Sequence, residues 1–152
     1  MASEPRQVWG DLATSAFVQG SHLFRTLGEE ETRDLLKLAA TVSYAPGERV
    51  LLEGGAVDDF FLVRDGVAVV TAWRDGQYLE LGLLEKGAFF GEFRLIAGVP
   101  HVATVTARTE LEVVRFPAPM IAALASRHPK VRQLLEAVKA GREKENQARL
   151  AP

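Results

Sequence analysis

The sequence predicts a mainly β fold with helices at both ends. Three observations carry that prediction. Between about residues 41 and 116, short β-rich runs alternate with breaks that hold Gly, Pro or Asp. Two of the breaks, Asp65-Gly66 and Asp75-Gly76, are Asp-Gly pairs between apolar runs, a hairpin signature because both turn positions take positive φ. The flanking stretches, about 1–40 and 117–150, instead carry apolar residues at helical spacing. Several short strands at regular spacing predict a sandwich or barrel.

Length and composition set the outer limits. A chain of 152 residues reads as one domain, 1–152, large enough to bury a core. A formal net charge of -2 gives no general surface for nucleic acid or membrane. With no cysteine, disulfides, thiolate zinc sites and Cys nucleophiles are excluded. The start of the chain lacks the basic and apolar regions of a signal peptide. No run approaches the 18 apolar residues of a membrane span. A cytoplasmic location is the expectation.

In the N-terminal zone, Val8, Leu12, Ala16 and Phe17 recur at helical spacing. A second apolar group, Leu35, Leu36, Leu38 and Ala39, follows Glu29-Glu30-Glu31, acids suited to a first helical turn, with Gly28 as cap. The predicted strands are Thr41–Tyr44, Arg49–Leu52, Phe60–Val63, Val67–Trp73, Tyr78–Leu84, Val102–Ala107 and Leu111–Phe116. The two Asp-Gly turns predict a meander through the central strands. In the C-terminal zone, Pro117 and Pro119 sit where one helix begins, and Pro129 opens another. Val131, Leu134, Leu135 and Val138 form an apolar stripe that packs on the β-structure or serves as a dimer seam. Past Gly141 the chain is mostly polar and is expected to fray.

One stretch breaks the β texture: residues 87–105, from Gly87 through Phe90-Gly91-Glu92-Phe93-Arg94-Leu95 to Pro100-His101-Val102-Ala103-Thr104-Val105. A helical turn after a glycine exposes backbone N–H groups that favour an anion, and an adjacent carboxylate can accept a sugar hydroxyl. That combination suits a cyclic sugar phosphate. The same glycines also suit a loop that merely turns tightly.

This segment resembles the phosphate-binding cassette of cyclic-nucleotide-binding domains, which runs roughly Phe-Gly-Glu-Leu-Ala-Leu, a short loop, then Pro-Arg-Ala-Ala-Thr-Val. Other quoted positions fit the same pattern: Leu23-Phe24 and Leu27, Tyr44-Ala45-Pro46-Gly47-Glu48, Glu53-Gly54, and Asp59-Phe60-Phe61-Leu62-Val63 leading to Gly66. The resemblance covers about residues 20–135. It implies a jelly-roll-like β-barrel with N- and C-terminal helices. It also implies that amides near Gly91 and Phe93 meet a phosphate, that Glu92 holds a ribose hydroxyl, and that Thr104 or the residue at 102 assists. The implied ligands are cAMP, cGMP or a cyclic dinucleotide, with no cofactor.

The chain departs from that pattern at three positions. His101 stands where the family carries its phosphate arginine. A guanidinium is always charged and grips phosphate with a two-pronged fork, whereas imidazole as a residue type is mostly uncharged at neutral pH. Losing a buried charge partner costs roughly 2–5 kcal/mol, or about 30-fold to several thousand-fold in affinity. Arg94 replaces a small residue and either swings over the pocket as a substitute cation or points to solvent. Val102 is apolar where some relatives carry a hydroxyl. Glu92 keeps the ribose acid, or pairs structurally with a nearby arginine or backbone.

Other candidates carry less. His22, His101 and His128 lie in separate zones without metal-ligand spacing. The serines lack a Gly-x-Ser-x-Gly elbow, and Asp58-Asp59 reads as a turn pair rather than an acid/base couple. Trp73 is expected in the core, and Trp9 at a domain cap or a contact surface. No DNA-binding segment follows the β-zone. The sequence therefore predicts a non-catalytic regulatory domain that takes a cyclic nucleotide or related anion weakly or atypically and signals through a protein partner or homodimer. The alternative is a ligand-free degenerate domain that acts as an interaction or dimerisation module.

Overall fold

The computed structural model describes residues 2–55, 59–91 and 101–150, with only the helical backbone for residues 142–143 and 145–150. Among these residues the chain forms β1 (Arg6–Gln7), α1 (Leu12–Gln19), α2 (Glu29–Leu38), β2 (Ala40–Tyr44), β3 (Arg49–Leu51), β4 (Asp59–Asp65), β5 (Ala68–Arg74), β6 (Gln77–Leu84), β7 (Phe89–Phe90), β8 (Thr104–Ala107), β9 (Leu111–Pro117), α3 (Ala118–Arg127) and α4 (Pro129–Leu150). The strands make two antiparallel sheets, ordered β1-β2-β9-β4-β7 and β3-β8-β5-β6.

Two buried clusters separate three layers. Val42, Phe61, Val63, Phe90, Leu111 and Val113 of the first sheet meet Leu51, Ala68, Leu84, Val105 and Ala107 of the second. On its opposite face the first sheet turns Phe60, Leu62, Phe89, Val114 and Phe116 to the helices. A sheet covered on both faces reads as a continuous apolar run rather than an alternating one. Phe60-Phe61-Leu62-Val63 is such a run, and all four residues are buried. Phe24 and Phe60 both pack on Phe116, at centroid distances of 5.1 and 6.4 Å. The α1–α2 connection and the first sheet are thereby joined through one aromatic group.

The ends differ from expectation in instructive ways. Val8 is buried, but in extended chain, where its N–H donates to Ala39 O beyond the β1–β2 pairing. The helix begins only after Asp11, whose carboxylate accepts from Thr14 N and Thr14 Oγ1. Leu12 is exposed, and Thr14 and Val18 make the inner face instead. Gly28 caps α2 as expected. Pro117 caps α3 and Pro129 opens α4, whose Val131 and Leu135 are buried with Leu134 and Val138 packed beside them. Rather than fraying past Gly141, α4 continues to Leu150.

The two Asp-Gly pairs part company. Asp75 and Gly76 have φ of 51° and 81° and close the β5–β6 hairpin, with Arg74 opposite Gln77. At Asp65-Gly66 only the glycine has positive φ, and β4 and β5 belong to different sheets. The expected meander is therefore corrected to a crossover between sheets. The reason is that β4 is already flanked by β9 and β7, so no edge remains for β5.

Candidate ligand-binding site

The cassette-like segment is held at both ends by packing and by main-chain bonds. At the leading end, β7 adds only two residues to β4, with Phe61 opposite Phe90 and Leu62 opposite Phe89. Phe89 tilts on Phe60 at 5.5 Å and Phe90 stacks on Phe61 at 4.8 Å, so the two rings enter different cores. Gly91 follows with φ of 98°. A Cβ there would lie 2.8 Å from Asp59 O, so both conformation and space require glycine.

At the trailing end, His101 N donates to Gly55 O at 3.0 Å and His101 O accepts from Gly54 N at 2.7 Å. Three residues on, Thr104 Oγ1 accepts from Glu53 N at 3.0 Å. The chain then enters β8, which pairs with both β3 and β5. Glu53 carries the attachment further. Its carboxylate accepts from Trp73 N and from Arg74 Nη1, each at 2.9 Å.

Of the residues the sequence singled out, Gly91, His101, Val102 and Thr104 are described, while Glu92, Phe93 and Arg94 lie outside the described residues, as does Asp58. His101 is buried at 5% exposure and Val102 is half-buried. Thr104 is buried at 6% and faces away from the core that holds its neighbour Val105. It is Cα partner to Thr71, two residues from exposed Trp73 on the same strand. Its hydroxyl oxygen thus straps the β3–β4 turn, with the hydroxyl hydrogen left as the donor.

Sequence reasoning quoted Glu53 as a frame for the first strands and did not give it a role at the site. The available signal was an acid at the end of an apolar run and directly before Gly54-Gly55. Trp73, expected in the core, is half exposed and meets Tyr78 edge-on at 4.7 Å. Trp73 stands on the face of the second sheet turned away from the inter-sheet core, and there it is exposed. Trp9 is also partly exposed, with Lys37 Nζ 5.3 Å from its ring. His128 contacts Glu31 across the α2–α3 boundary. Among the described residues no cluster of three or more His, Asp or Glu side chains is placed to hold a metal. None of the described helices is long and apolar enough to cross a membrane.

The sequence profile of the cyclic nucleotide-binding domain matches residues 41–128, more than half of the chain, including both anchored ends of the segment. The chain belongs to the cyclic nucleotide-binding domain family. It is 36% identical over 97 residues to a cAMP-dependent protein kinase regulatory subunit of Yarrowia lipolytica, covering 64% of this chain and 25% of that protein. The chain thus spans about a quarter of the length of this relative. Among solved structures, the regulatory domain of Toxoplasma gondii protein kinase A with cAMP superposes with a TM-score of 0.75 at 23% identity, covering 86% of this chain and 52% of that one. A triple mutant of the regulatory subunit of a cAMP-independent protein kinase A from Trypanosoma brucei, bound to cAMP in its A site, gives a TM-score of 0.65 at 18% identity, covering 86% and 54%. These neighbours share the jelly-roll architecture of two sheets with flanking helices.

Proposed function

We propose that this chain is a non-catalytic regulatory domain that binds a cyclic nucleotide, or a related anion, weakly or atypically. The observation that carries the reading is His101, buried at 5% exposure at the trailing anchor of the cassette, where the resemblance puts the phosphate arginine. As a residue type, an imidazole gives a phosphate at most one good donor, where a guanidinium gives a permanently charged fork. Beside it, half-buried Val102 offers an apolar side chain and no hydroxyl.

The Trypanosoma brucei structure supports the same reading. Its three substitutions are glutamate to alanine and, seven and eight residues further on, threonine to arginine and valine to alanine. That spacing is also the spacing of Arg94, His101 and Val102, the three places where this chain departs from the cassette pattern. The protein bound to cAMP in that case carries the family-type residues at all three. Here Gly91, Glu92 and Phe93 supply the amides and the ribose acid, and His101, Val102, Thr104 and Arg94 set how well the phosphate is held. Ligand occupancy acts by shifting the placement of the terminal helices, read by a protein partner or a second copy.

A second reading, a ligand-free interaction module, is favoured by the exposed Trp73–Tyr78 pair on the outer sheet. Calorimetric titration of cAMP, cGMP and cyclic di-GMP into the native protein and the His101→Arg variant separates the two. The sensor reading expects weak but saturable binding by the native chain, tightened about 30-fold or more by His101→Arg. Absence of binding by both proteins favours the interaction module.

A further inference from the structure

Glu53 joins the segment after β3 to the end of β5. Its N–H donates to Thr104 Oγ1, and the next two residues exchange main-chain bonds with His101. Its two carboxylate oxygens reach the other way, to Trp73 N and Arg74 Nη1, and Arg74 Nη1 also donates to Trp73 O. The side chain of Glu53 is about a quarter exposed, which limits competition from water. Trp73 in turn sits directly opposite Tyr78 across the β5–β6 hairpin, beside the Asp75-Gly76 turn.

We propose that Glu53 is a positioning residue that fixes the trailing end of the cassette at His101 and transmits its displacement to the exposed Trp73–Tyr78 pair. At one end Thr104 Oγ1 accepts from Glu53 N while His101 is bonded to the next two residues, and at the other the Glu53 carboxylate accepts from Trp73 N, so a shift of the His101 main chain moves Gly54 and Gly55 and, through Glu53, the Trp73 main chain. Coupling between sites is established by double-substitution comparison rather than by proximity. The relay itself is a property of the fold; only its use by a ligand rests on the function proposed above.

The test uses the indole N–H signal of Trp73 in nuclear magnetic resonance. The chain has two tryptophans, so a Trp9→Phe background leaves one indole signal. In that background His101→Arg is compared with the parent, with Glu53 intact and then replaced by alanine. The expected result is that His101→Arg displaces the Trp73 signal when Glu53 is present and that Glu53→Ala reduces the displacement about threefold or more. A second series with Glu53→Gln, which keeps one acceptor for Trp73 N but loses the carboxylate charge facing Arg74, should fall between the two. Equal displacement in all three series overturns the proposal, as does no displacement with Glu53 intact. If Glu53 merely stabilised the fold, Glu53→Ala would lower the unfolding temperature and leave the displacement unchanged. No ligand enters this comparison, so its outcome is independent of whether a nucleotide binds.

Discussion

Gly91 shows at one residue how the site is built. Its φ of 98° turns the chain out of β7, and the space a Cβ would need is taken by Asp59 O. Gly91→Ala is expected to cost about 1–3 kcal/mol from backbone strain alone, measured by urea unfolding. Asp11 makes a smaller, pH-dependent contribution. The hydrogen bonds from Thr14 N and Thr14 Oγ1 hold its carboxyl below the ordinary 3.8. A depressed value in the folded state stabilises above the unfolded pKa and is lost as pH falls through the folded one. Asp11→Asn keeps a capping acceptor but cannot titrate, so its stability should fall less steeply than the parent's as pH drops below about 4, measured by thermal unfolding. At His101 the side-chain chemistry was readable before the fold, because an imidazole in place of a guanidinium is a change of charge and donor count. The burial that gives the change its weight was not readable, since it depends on long-range packing around residue 101, where Gly54 and Gly55 pair with its main chain.

At the scale of elements, the sequence was most legible where a turn is local. The β5–β6 hairpin follows from Asp75-Gly76 because both residues adopt the positive φ that the turn requires. The crossover at Asp65-Gly66 looks the same in sequence and differs only because β9 and β7 already occupy both edges of β4, a non-local fact. Two-residue β7 escaped notice because its role is to send Phe89 and Phe90 into separate cores, and so short a strand has no period to read. Trp73 was misplaced because strand residues alternate and its own position falls on the outward side, half exposed. These placements predict unequal costs. Phe116→Ala, which removes the ring shared by Phe24 and Phe60, should destabilise by about 3–5 kcal/mol. Trp73→Ser, at a half-exposed position, should cost about 1 kcal/mol or less. Guanidinium unfolding of the two variants side by side checks the difference.

At the scale of the whole molecule, the helices pack on the doubly covered first sheet, and Gly91 and the Gly54-Gly55 pair fix the two described ends of the cassette-like segment. On the proposed reading, positions 94, 101 and 102 set how well a phosphate is held, so substitutions there should change binding far more than stability. The most direct measurement is the cAMP affinity of the Arg94→Ala, His101→Arg, Val102→Ala triple variant beside the native protein, by calorimetry at fixed salt and neutral pH. A gain of about 30-fold or more, with an unfolding midpoint close to the native one, is the predicted result. Equal affinities in the two proteins would contradict the account, because His101 would then not be what limits the site.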